Sequence, residues 1–142
     1  ARALGAMAPA GPEEVEQALK DRPIALLPVG NTEAHGPHLP LSTDTVIATE
    51  VARRTALKLK QRGQHALIAP PITFCVSELG AEFPGTVSLP ADTVVALLRD
   101  VSVALAKKFR AVAFVNVNQE AANLEAIKRA AEEAIRALSG SR

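Results

Sequence analysis

The sequence has no tryptophan, no tyrosine and only 4 phenylalanines, so its core must be built from Leu, Val, Ile and Ala. It has one cysteine, Cys75, which excludes an internal disulfide and fits a reducing compartment. It has no excess of one charge. With 16 basic against 15 acidic side chains, the net +1 gives no electrostatic footprint for nucleic acid or an anionic membrane. No apolar run approaches the roughly 20 residues that a bilayer-spanning helix needs. Residues 1–12 carry one Arg and no continuous apolar segment, so no secretory signal is expected there. A soluble, cytoplasmic protein with no nucleic-acid or membrane partner is the expectation.

What is present is 142 residues, 48% of them hydrophobic, enough for one domain with its own core. Residues 1–11 are small and featureless, an expected flexible lead-in. Pro12, Glu13 and Glu14 suit the first turn of a short helix. The apolar runs 24–29, 66–69 and 111–115 read as strands buried on both faces. Pro28 is expected to mark a strand end or an unpaired edge. Helices are predicted between them. One spans residues 44–62, with Val46, Ile47, Val51, Leu57 and Leu59 as its apolar residues. Another starts at Pro90 and Asp92, with Val94, Leu97, Leu98, Val101 and Leu105. The last spans 120–138, with Leu124, Ile127, Ala131, Ile135 and Leu138. Residues 72–89 have no helical period. Such alternation predicts an α/β fold whose parallel sheet is covered on both faces. Ligands then bind beyond the carboxyl ends of the strands, at the loop after Val29 and the turn after Val115.

That loop, residues 30–44, holds Glu33, Asp44 and two of the 3 histidines, His35 and His38. Carboxylates near an imidazole are the donors that zinc or manganese takes. The same residues also fit a solvated loop in which Asp44 caps the following helix. The turn Asn116-Val117-Asn118-Gln119-Glu120 is polar at a strand's end and suggests a site. It also fits a plain helix start, with Asn118 as cap and Glu120 complementing the dipole. Cys75 reads as a small buried hydrophobe and His65 as a surface residue.

The segment Leu27-Pro28-Val29-Gly30-Asn31-Thr32-Glu33-Ala34-His35-Gly36-Pro37-His38-Leu39-Pro40-Leu41-Ser42-Thr43-Asp44-Thr45 resembles the signature of creatininase-family proteins. Glu82-Phe83-Pro84-Gly85-Thr86 resembles their Phe-Pro-Gly-Thr element, in the same order along the chain. The resemblance implies a three-layer α/β/α domain and hydrolysis of a cyclic or other non-peptide amide at a paired-metal centre. It implies that Glu33 holds one ion and His35 the other, that Asp44 bridges both, and that Glu120 is a further ligand. Glu33 and Glu120 are the implied catalytic carboxylates. Ser77 and Glu78 lie in the loop that approaches the family's substrate. The implied ion is divalent, zinc first, with manganese or iron as the other ions such donors take.

Two departures from the family pattern carry consequences. The family has a His where this chain has Asn118, so the ion shared by Glu33 and Asp44 loses its nitrogen donor. The chain also stops after one more helix, where family domains continue, and so reads as a shortened creatininase-like domain. The sequence thus predicts a metal-dependent amide hydrolase acting on a small molecule, with at most one ion bound tightly and activity that is weak or absent. Its rival is a non-catalytic relative that keeps the fold and part of the site. Apolar surface left by the short domain predicts a homo-oligomer.

Overall fold

Short aliphatic runs become strands here because each is too brief for a buried helix and Pro or Gly brackets the first two. In a computed structural model that describes residues 5–140, the elements alternate as the sequence predicts. They are α1 (Pro12–Leu19), β1 (Ile24–Val29), α2 (Thr43–Gln61), β2 (Ala66–Ile68), α3 (Ala91–Ala106), β3 (Ala111–Asn116) and α4 (Ala121–Ser139). The described strands form one parallel sheet in the order β2-β1-β3. Val29 pairs with Asn116, so the carboxyl ends of β1 and β3 lie side by side. The two loops singled out above therefore meet.

Pro28 does not mark an edge. It sits in the central strand, one residue before that strand ends, and pairs with Val115. The carbonyls of Leu26 and Pro28 accept from Ala69 and Ile72, so residue 28 directs its polar groups toward the β2 side. β2 ends at Ile68, and pairing on that side resumes only at the isolated bridge between Val29 and Ile72, so proline falls where the regular ladder is interrupted.

Alternation along β1 divides the core in two. Leu26 packs with Ala52 of α2 and Ile68 on one face. Leu27 and Val29 pack with Val94, Val95 and Leu98 of α3 and Ala126 and Ala130 of α4 on the other. At the opposite end of the strands, Ala25, Leu67 and Phe109 meet Ala18 and Leu19 of α1. The result is an α/β/α arrangement with α2 on one side.

The helices turn different faces inward than the large apolar residues suggest. α2 buries Asp44, Ala48 and Ala52, while Val46, Ile47, Val51 and Leu57 stay exposed. α4 buries Asn123, Ala126, Ala130 and Ala134 and exposes Leu124 and Ile135. Alanine at i, i+4 spacing lets each helix axis approach closely, which bulky side chains would prevent. Part of the expected flexible lead-in is paired: Met7 N–H donates to Ile68 O, and Ile68 N–H to Gly5 O, both at 2.9 Å. Residues 1–4 lie outside the described residues. Among those described, no helix is long and apolar enough to cross a membrane.

Candidate metal centre

The site begins with a close approach. A Cβ on Gly30 would stand 2.6 Å from Thr45 Cα, so only glycine lets the first turn of α2 cross the end of β1. Asp44 lies on the same stripe as Ala48 and Ala52 and is carried inward with them. It is not the helix cap: Ser42 holds that position. Asp44 Oδ1 lies 2.8 Å from His35 Nε2. Glu33 arrives from the loop, buried against Gly80, where a Cβ would stand 2.9 Å from Glu33 Oε1. One donor atom from each of Glu33, His35 and Asp44 lies within 4.8 Å of the others.

Asn118 closes this cluster from the neighbouring strand end. Its Nδ2 donates to Glu33 Oε2 at 2.8 Å and to Asp44 Oδ2 at 3.0 Å. Its Oδ1 accepts the main-chain N–H of Glu120 at 3.0 Å. That bond orients the amide, because only the nitrogen can then face the carboxylates. The reading of Asn118 as a helix cap is thereby corrected: α4 starts at Ala121, with Glu120 in the cap position and no side-chain cap bond.

Glu120 does not join the three-residue cluster. Its Oε1 accepts the N–H groups of Glu78 and Leu79 at 2.9 and 3.3 Å. Its Oε2 is buried with no hydrogen-bond partner. The compact trio therefore includes Glu33, and Glu120, the further ligand that the resemblance implies, stands outside it. Burial pushes the Glu33 carboxyl above its ordinary pKa. The Asn118 hydrogen bond and the His35 imidazole oppose that shift, whereas the charges on Asp44 and Glu120 add to it.

A buried polar network supports the floor. Asn31 Nδ2 donates to Val76 O and Ser77 Oγ, both at 2.8 Å. Asn123 Oδ1 accepts Val76 N–H at 3.3 Å, and Asn116 Nδ2 donates to Asn118 O at 2.8 Å. Ser77 is fully buried and accepts from Asn31, so it braces the floor. Glu78 is exposed at the rim, and its main chain holds Glu120. Asn31 and Asn123 were missed as supporting residues. The only signal for Asn31 was an amide directly after a buried strand, and Asn123 lay hidden in a helix. His38 and His65 are exposed and are not among the clustered donors. Cys75 is buried, as expected.

The donor set fits a divalent ion. It offers an imidazole nitrogen, ionisable carboxylates of which two are almost wholly enclosed, and on Glu120 a buried oxygen that no protein group satisfies. Glu33, His35 and Asp44 would hold such an ion, and the unsatisfied Glu120 oxygen stands outside their cluster.

Comparison with known proteins points the same way. The family model described as creatinine amidohydrolase matches residues 11–141. A mycofactocin precursor peptide peptidase from Mycobacterium ulcerans is 38% identical over 115 residues, covering 78% of this chain and 45% of that protein. A creatinine amidohydrolase from Pseudomonas putida is 30% identical over 89 residues, covering 59% of this chain and 32% of the relative. A solved mutant creatininase complexed with creatine superposes with a TM-score of 0.86 at 26% identity, covering 98% of this chain and 54% of that one. A manganese creatininase superposes with a TM-score of 0.83 at 25% identity, covering 98% and 54%. A zinc–zinc form of a mutant creatininase does so with a TM-score of 0.83 at 25% identity, covering 99% and 54%. The chain thus spans about half the length of the relatives it matches.

Proposed function

Because this chain belongs to the creatininase family, we propose that it is a metal-dependent amide hydrolase whose centre is built from Glu33, His35, Asp44 and Glu120. The observation that carries this reading is the convergence of Glu33, His35 and Asp44 donor atoms within 4.8 Å at the carboxyl ends of the strands. The ion would be zinc, or manganese or iron in its place. When bound, such an ion lowers the pKa of a coordinated water toward neutrality and polarises a carbonyl.

The chain's own residues would do the rest. Glu33, with its pKa raised by burial, suits accepting a proton from water and passing it to the departing amine. Gly80 leaves Glu33 the room it occupies, and the Asn118 amide fixes its direction. Glu120 would offer its unpartnered oxygen to the ion while its other oxygen ties down the 78–79 main chain. The substrate class proposed is a cyclic or other non-peptide amide. The 38% identity to a precursor peptide peptidase adds a short peptide to the candidates. A cytoplasmic location, in keeping with its single buried thiol, and a homo-oligomeric state are part of this proposal.

The test is amine release from creatinine, a formamide and a short peptide by the zinc- or manganese-loaded protein. Turnover of at least one, abolished by chelation and by His35→Ala, is expected. No turnover by metal-loaded protein would contradict the hydrolase reading. It would favour a second one, a binding protein with a partial site, for which the observation is Asn118 standing between Glu33 and Asp44.

A further inference from the structure

Building on the metal reading above, we infer that Asn118 is a cation substitute: its amide fills one position of a two-ion centre and limits this chain to one ion. Glu33 and Asp44 turn one oxygen each toward a common point, and two carboxylates so placed repel unless something positive stands between them. An amide nitrogen stands there, 2.8 Å from Glu33 Oε2 and 3.0 Å from Asp44 Oδ2. It has two N–H groups, enough for one to each carboxylate.

The amide is not free to turn over. Its oxygen accepts from the Glu120 main chain at 3.0 Å, so a half-turn would bring N–H against N–H and oxygen against two carboxylates. The Asn118 main chain is fixed as well. Its N–H donates to Asn116 Oδ1 at 3.3 Å, and its carbonyl accepts from Asn116 Nδ2 at 2.8 Å. Presenting the amide oxygen to an ion would break three hydrogen bonds and gain a donor weaker than imidazole. Asparagine where the resemblance implies a histidine is therefore not a gap. The amide holds both carboxylates in place without metal. It leaves the other side of Asp44, where Oδ1 lies 2.8 Å from His35 Nε2, for a single ion.

The test counts zinc per chain after the metal-free protein is equilibrated with a zinc buffer, for wild type, Asn118→His and Asn118→Asp. One ion in the wild type and two in each folded variant are expected. Asn118→Asp is nearly the same size as the native residue and decides the matter if circular dichroism shows Asn118→His unfolded. As a second readout, metal-free Asn118→Asp should melt below wild type, since a third carboxylate replaces the donor, and zinc should raise its melting temperature more than the wild type's. Two ions in the wild type would overturn the inference and leave the metal reading standing. One ion in both wild type and folded variants would also overturn it. No ion in wild type or variants would overturn the metal reading itself, and this inference with it.

Discussion

Two glycines set the site's dimensions. Alanine at position 30 would press into the Thr45 main chain, and the first turn of α2 would have to move. Gly30→Ala should therefore cost about 1–3 kcal/mol by overpacking. Chemical denaturation is the measurement, and an unchanged midpoint would contradict the close approach. Cys75 makes a prediction of the opposite kind. Burial, with a smaller contribution from the Asp44 charge, pushes its thiol up to about 12, so almost no thiolate exists near neutrality. A thiol reagent at pH 8 should leave the native protein unlabelled and react once denaturant is added. Prompt labelling of folded protein would show the residue is open. At this scale the sequence was legible where the family resemblance named the residues: Glu33, His35 and Asp44 stand together. It was not legible for Ser77 and Asn118, whose roles depend on partners 46 and 85 positions away in the chain.

The elements tell a similar story about what local pattern can reveal. β1 could be read from sequence because Pro23 and Gly30 bracket an unbroken aliphatic run, and the structure returns the same six residues. The inward faces of α2 and α4 could not be read by size. Both helices press alanines onto their neighbours and leave larger side chains outside, so the apolar stripe and the packed stripe differ. This reversal can be measured on α4. Ala130 is fully buried against the core, and Ala130→Leu should destabilise by about 1–3 kcal/mol through overpacking. Ile135 is 63% exposed, and Ile135→Ser should stay within about 0.5 kcal/mol. If the serine variant were the less stable one, the larger stripe would be the packed one after all.

For the whole molecule, the exposed apolar residues predict association. Val46, Ile47 and Val51 form an uncovered face of α2, with Val46 60% exposed. Such an exposed apolar face should be covered by another surface. Light scattering should return at least a dimer, and a single-chain mass at high concentration would contradict this. The central claim is narrower: the fold brings the carboxyl ends of β1 and β3 together so that their loops hold one ion. The most direct measurement is an anomalous difference map from crystals grown with zinc. The account predicts one peak per chain, about 2.0–2.2 Å from His35 Nε2 and from an oxygen of Asp44, with the Asn118 amide still between Glu33 and Asp44. A map without a peak at these residues, or with its only peak elsewhere on the molecule, would contradict it.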